Sequence, residues 1–164
     1  MTVPLPTSTP VPAPNLRAGF MELALAEARA AAARGEVPVG AVLVDGARRS
    51  VLARAGNEIE ARKDPTAHAE MLVIRAAAEA RATPRLVDCD LYVTLEPCPM
   101  CAGAISFARL RRVYFGAEDP KGGGVVHGSR VFDQPTCHHR PEVLGGLAER
   151  ESAALLRDFF QARR

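Results

Sequence analysis

No charge of either sign dominates this sequence: 21 basic residues stand against 19 acidic ones, a formal net charge of +2. That balance excludes a chain that binds polyanions by bulk charge alone. Lysine is nearly absent, occurring only at Lys63 and Lys121, so the positive charge is almost all arginine. Arginine suits bidentate phosphate contacts, but a composition rich in arginine and alanine is also what a GC-rich genome produces. No apolar run approaches the roughly 20 residues of a membrane helix, which argues against a membrane protein. Residues 1–14 have neither a basic n-region nor an apolar h-region, so no signal peptide is expected. Cysteine is scarce: four in 164 residues do not frame a disulfide scaffold, and two of them are spaced C-x-x-C. The expected setting is reducing and cytoplasmic, with metal binding the natural use of that pair.

What is present is ordinary globular material. A chain 48% hydrophobic and 24% charged fits one domain large enough to bury a core without staples. Met1–Pro14 is set apart by five prolines. They favour extended chain, so a disordered tail is expected over residues 1–14 and a single folded domain over 15–164. Asn15 is a good N-cap, and Leu16, Phe20, Leu23 and Ala24 recur on one helical face. They predict a helix over Leu16–Arg34, stopped by Gly35. The β-rich runs Val37–Val44 and Val51–Gly56, punctuated by Asp45-Gly46, predict an antiparallel hairpin. Gly40 inside the first run predicts a close approach to the backbone there.

Asn57–Thr66 is expected as a loop. A helix over Ala67–Arg81, a strand over Leu91–Leu95, a helix over Pro99–Ala108 and a strand over Arg111–Phe115 follow. Gly116–Pro141 is polar and glycine-rich and is expected as loops with a short helix. Glu142–Leu144 is a candidate fifth strand, and Leu147–Gln161 a final helix. Strands separated by helices point to an α/β fold, in which an antiparallel first pair is followed by β-α-β crossovers.

Chemistry concentrates in two short stretches. Thr66-Ala67-His68-Ala69-Glu70 reads H-x-E, and Glu96-Pro97-Cys98-Pro99-Met100-Cys101 contains P-C-x-x-C. His68, Cys98 and Cys101 offer three zinc ligands, and three protein ligands leave the fourth tetrahedral position open to water, as catalytic sites do. Separated by one residue, His68 and Glu70 would point roughly 200° apart on a regular helix, so they share a site only at its N-terminal end. Cys98 and Cys101 share one face of a first helical turn. Both motifs therefore set the metal at helix N-termini, where the partial positive charge favours thiolates. Glu70 is left to take a proton from zinc-activated water, pass it to a ring nitrogen and protonate the departing amine. The expected reaction class is hydrolytic deamination, since H-x-E with P-C-x-x-C is a signature of zinc nucleobase deaminases. The competing reading is a closed structural zinc site that recruits His127, His138 or His139. It draws its fourth ligand from a loop and leaves Glu70 without a task. Cys89 and Cys137 fall in no ligand pattern: Cys89 is expected as a small core residue at a strand start, Cys137 as a loop residue.

Around these motifs, Glu36–Val44, Asp64–Glu70, Leu91–Ala104 and Ala153–Phe160 resemble the bacterial tRNA-specific adenosine deaminases, a similarity that covers about residues 17–164. The resemblance implies a cytidine deaminase-like α/β/α sandwich of three layers, with a central mixed sheet of about five strands. It implies a homodimer with one Zn2+ per subunit and the active site near the subunit interface. The activity would be conversion of adenosine to inosine at the wobble position of a tRNA anticodon, in arginine tRNA. His68, Cys98 and Cys101 match the family's zinc ligands and Glu70 its proton shuttle. Asn57 matches the asparagine that hydrogen-bonds the base, and Val39, Leu95 and Pro97 match residues around the pocket. A wobble base lies in a single-stranded loop, so splaying it out costs little. Contacts to the anticodon stem-loop are sought at Arg62, Lys63, Lys121, Arg130, His138, His139, Arg140, Arg163 and Arg164, each of which is equally read as a solvated surface residue. Phe159 and Phe160 offer stacking surfaces, or core. Two rivals stand beside this reading: a free-base or nucleoside deaminase acting on guanine or cytosine, and a non-catalytic, zinc-stabilised RNA-binding subunit.

Overall fold

A computed structural model describes residues 13–164. The expected disordered tail lies, up to Pro12, outside the described residues; its last two residues, Ala13 and Pro14, belong to the start of the first helix. That helix, α1, spans Pro14–Ala33, capped by Ala13 and not by Asn15. Pro14 takes the first helical position, where a missing N–H is no loss. Asn15 Oδ1 instead accepts the Leu16 N–H at 2.8 Å. Gly35 stops the helix as expected, at φ 83°.

The expected hairpin is β1 (Gly40–Asp45) and β2 (Ser50–Gly56), paired antiparallel. Asp45 Oδ1 closes its turn by accepting the N–H groups of Ala47 and Arg48 at 3.0 and 2.8 Å. Within the expected loop lies one helical turn, α2 (Ile59–Arg62). There follow α3 (Ala69–Arg81), β3 (Cys89–Leu95), α4 (Pro99–Ala108), β4 (Arg112–Ala117), a 3-10 turn at Val131–Asp133, β5 (Glu142–Leu144) and α5 (Glu149–Gln161). Cys89 is buried at the head of β3. Among the described residues, no helix is long and apolar enough to cross a membrane.

The sheet runs β2-β1-β3-β4-β5, with β1 antiparallel to both neighbours and β3, β4 and β5 mutually parallel. Alternation along the strands sorts the core into two sides. Val42, Val44, Tyr92 and Tyr114 pack with Phe20, Met21 and Ala24 of α1, and α5 lies beside α1 on that side. Leu43, Leu91, Val93 and Phe115 pack with Val73 and Ala77 of α3 and with Ala102 and Ile105 of α4. The architecture is the expected α/β/α sandwich. Because helices cover both faces, β1 and β4 are buried along their whole length.

Topology decides where chemistry can occur. Antiparallel pairing sets Ala41 of β1 opposite Val93 of β3, and Gly40 opposite Gly56 of β2. The start of β1, the end of β2 and the end of β3 therefore meet at one end of the sheet. Val39, Asn57 and Leu95 converge there.

The close approach foreseen at Gly40 is that of α1. A Cβ on Gly40 would stand 1.9 Å from the Ala24 carbonyl oxygen and 2.6 Å from the Ala28 nitrogen. Helix backbone rests directly on strand backbone, so relief requires moving the helix. Gly40→Ala is expected to lower unfolding stability by about 3 kcal/mol, at the upper end of overpacking costs. A urea midpoint equal to that of the parent would contradict this packing.

Candidate zinc centre and active site

The two motifs occupy the positions their spacing requires. His68 is the N-cap of α3, with extended backbone (φ −71°, ψ 149°), and Glu70 lies in the first helical turn. Cys98 is the N-cap of α4 (φ −70°, ψ 170°), Pro99 begins that helix, and Cys101 lies in its first turn. Neither cap residue uses its own side chain to satisfy the helix start, which leaves both side chains for the site.

His68 Nδ1 lies 3.5 Å from Cys101 Sγ and 3.7 Å from Cys98 Sγ. For a tetrahedral zinc with Zn–N near 2.05 Å and Zn–S near 2.3 Å, the expected N···S separation is about 3.6 Å. The three donors thus fit zinc without rearrangement. All three ligand atoms lie within 4.8 Å of one another, and among the described residues no fourth metal-binding side chain joins the group. Two of the three histidines proposed for a closed structural site are engaged elsewhere. His127 Nδ1 hydrogen-bonds Glu96 at 2.8 Å, and His139 Nε2 donates to the Leu110 carbonyl at 2.6 Å.

The thiols are electrostatically prepared. Hydrogen bonding from Cys101, and then from His68, holds the Cys98 thiol down at about 4, against the opposing effect of burial. Cys101 is pushed up, first by donating to Cys98 and then by burial. The two thiols are thus shifted in opposite directions, and a bound dication would favour the thiolate form of both. The hydrogen bond with Cys98 raises His68 above its usual value. Glu70 is 3% exposed, and burial pushes its carboxyl up to about 7.

Two further side chains fix the start of α3. Asn57 Oδ1 accepts the N–H of Ala69, the residue between His68 and Glu70, at 2.9 Å. It thus supplies the cap that His68 does not. Its amide nitrogen is left as the donor toward the cavity. Asp64 Oδ1 accepts the Thr66 N–H at 2.8 Å and the Thr66 hydroxyl at 2.7 Å, which fixes the turn into His68. Those bonds hold the Asp64 carboxyl below the usual range.

Val39, Asn57, His68, Glu70, Leu95 and Cys98 line one cavity of about 290 Å3, near the small end for ligand pockets. Pro97 is buried just behind it, and its carbonyl accepts the Gly124 N–H at 2.8 Å. Val37, Ile59, Glu96, Asp119 and Gly122 also line the cavity, and no motif singled them out. The fixed, mostly apolar walls, three metal ligands and one buried carboxylate are what a deaminase of planar bases requires.

Comparison with known proteins agrees with this geometry. The model of the cytidine and deoxycytidylate deaminase zinc-binding region matches residues 15–117. The chain belongs to this family. A curated tRNA-specific adenosine deaminase of Agrobacterium fabrum is 62% identical over 148 residues, covering 90% of this chain and 96% of its own length. A solved structure from a study of A-to-I editing by tRNA A34 deaminases at the wobble position is also 62% identical. It has a TM-score of 0.81 and covers 84% of this chain and 99% of its own. A solved guanine deaminase of Bacillus subtilis is more distant, 32% identical with a TM-score of 0.60 over 89% of this chain and 92% of its own.

The remaining residues singled out in the sequence of this deaminase lie outside the central cavity. Arg62 pairs with Glu58, and exposed Lys63 lies 3.8 Å from Glu60. Lys121 and half-exposed Phe160 line a second cavity of about 450 Å3 that shares Val37, Leu95, Asp119 and Gly122 with the first. Arg130 pairs with Asp133 at 2.8 Å. His138 is exposed, its ring 6.2 Å from that of Phe107. Arg140 and Arg164 are exposed. Phe159 is buried beneath Arg163, whose guanidinium stands 3.4 Å from the ring centroid. Cys137 is a loop residue, its thiol donating to the His139 carbonyl.

Proposed function

We propose that the chain deaminates adenosine to inosine at the wobble position of a tRNA anticodon. One observation carries the chemistry: a buried carboxylate, Glu70, shares a cavity with His68 and Cys98 of a three-ligand zinc set. The 62% identity to a tRNA-specific adenosine deaminase over 90% of this chain supports the choice of substrate.

His68, Cys98 and Cys101 would hold the zinc, which when bound would lower the pKa of a water toward neutrality. The chain's own residues do the rest. Glu70 accepts a proton from the attacking water and delivers it to the ring nitrogen beside the reacting carbon. It then carries the second water proton to the departing amine, so adenosine and water become inosine and ammonia. Asn57, its oxygen committed to Ala69, donates from its amide nitrogen to an acceptor on the base. Val39 and Leu95 flank the ring, and Pro97 backs the wall.

The anticodon stem-loop is the partner, arginine tRNA the substrate, and a cytoplasmic homodimer with one Zn2+ per subunit the working form. Arg62, Lys63, Lys121, Arg130, His138, Arg140, Arg163 and Arg164 contact RNA phosphates, and Phe160 stacks on a neighbouring base. Of the other two candidates for RNA contact, Phe159 supports Arg163 from beneath, and His139 is bonded to the Leu110 carbonyl.

Incubation with an anticodon stem-loop followed by sequencing tests the reading. Adenosine read as guanosine at the wobble position, and nowhere else in the loop, is the expected result. Turnover of free guanine or cytosine with the RNA left unchanged would replace this reading with that of a free-base deaminase.

A further inference from the structure

Glu96 has no part in the chemistry above, yet five donors converge on it. Its Oε1 accepts the Asp119 N–H at 3.1 Å and His127 Nδ1 at 2.8 Å. Its Oε2 accepts the N–H groups of Val125, Val126 and His127 at 3.2, 3.1 and 3.1 Å. The side chain has no solvent exposure. A carboxylate has about four lone-pair sites, so five donors saturate it. Among the described residues, all five donors come from one loop, residues 119–127.

That loop is the outer wall of the cavity, to which it contributes Asp119 and Gly122. It lies against the Cys98 turn with no room between. A Cβ on Gly123 would stand 2.2 Å from Glu96 Oε2, and one on Gly124 would stand 2.5 Å from the Pro99 nitrogen. Gly124 N–H also donates to the Pro97 carbonyl at 2.8 Å. Three successive glycines, Gly122–Gly124, would otherwise make this the least constrained part of the rim.

We propose that Glu96 is a positioning residue for the deamination: with His127 as a clasp, it locks the 119–127 loop onto the Cys98 turn, so the substrate-facing wall and the metal-bearing turn keep one fixed spacing. The Glu96 carboxylate is taken up by the donors of the 119–127 loop, and it acts through that loop. His127, with its side chain 29% exposed, closes the clasp from outside, and its Nε2 stands 3.7 Å from Glu118. The inference rests on the substrate reading above only for its kinetic part.

The test compares Glu96→Gln, His127→Ala and His127→Asn with the parent by zinc content, amide hydrogen exchange and stem-loop kinetics. Glu96→Gln keeps the shape of the side chain but turns an NH2 toward backbone N–H groups. It is expected to retain one zinc per chain and to exchange the Val125–His127 amides roughly 10-fold faster. Its kcat/KM is expected to fall on the order of 100-fold, mostly through KM. His127→Ala loses one bond and is expected to raise KM roughly 3- to 10-fold. His127→Asn, whose amide nitrogen stands near the place of Nδ1, is expected to restore it. Parental exchange and KM in Glu96→Gln, or a loss of activity that tracks loss of zinc, would overturn the proposal. If Glu96→Gln does not fold, the two His127 variants decide by the same readings. If the parent itself leaves RNA unchanged, the substrate reading fails, and exchange with zinc content still decides the clasp.

Discussion

Glu70→Ala is expected to bind one zinc per chain and to produce inosine at least 10³-fold more slowly than the parent, within the 10²- to 10⁴-fold range of acid–base groups. Zinc retention follows because the ligand set is His68, Cys98 and Cys101 and does not include Glu70. The large rate loss follows because, among the described residues, the 119–127 loop engages the other carboxylates that line the cavity. Asp119 and Glu96 also line it, but Glu96 is consumed by five hydrogen bonds, and Asp119 Oδ1 accepts the N–H groups of Lys121 and Gly122 at 3.2 and 3.0 Å. Glu70→Gln should match the alanine variant in rate, since shape without a titratable proton carrier serves no step. Zinc analysis beside single-turnover inosine formation checks both. Near-parental turnover in Glu70→Ala would remove this residue from the mechanism and with it the reading of H-x-E.

The second large effect is at the metal. Cys101→Ser is expected to lose zinc and all detectable activity, and chelation of the parent should do the same. Cys101 is the buried ligand of the three, the site needs both thiolates, and affinity should fall further than the 10- to 100-fold that loss of an outer-shell partner brings. Zinc at 100 times its dissociation constant stabilises by about 2.7 kcal/mol. For a chain of this size that is a melting temperature about 5–10 °C higher with metal than without. Thermal melts with and without chelator, on parent and variant, measure the difference. A Cys101→Ser protein that kept stoichiometric zinc would bring back the closed site with a fourth protein ligand.

What the sequence made legible follows the range of the interactions concerned. Val42, Val44, Tyr92 and Tyr114 against Leu43, Leu91, Val93 and Phe115 is an alternation written in neighbouring residues, so strands and layers could be read from it. The placement of His68 and Glu70 at a helix start also follows from local spacing, although α3 begins two residues later than periodicity suggests because His68 stays extended as its cap. What escaped was set from a distance. The single turn α2 has no periodicity of its own; it is held by Glu36, whose carboxylate accepts the N–H groups of Glu60 and Ala61 from 24 and 25 residues away. Asn57 caps α3 from 12 residues away. The partners of Glu96 lie 23 to 31 residues downstream. In each case an ordinary polar side chain acquires its task only when the sheet closes. The Asn15 cap failed for the opposite reason: a weak local signal lost to Pro14, which fits the first turn better.

The stacked pair in the α1 layer has a practical consequence. The chain has no tryptophan and two tyrosines. Both are buried, their rings 4.4 Å apart and 10° from parallel, on the opposite side of the sheet from the helices that carry the zinc ligands. Tyrosine emission from this protein therefore reports on the distal layer. It follows the loss of that layer's packing when the protein unfolds.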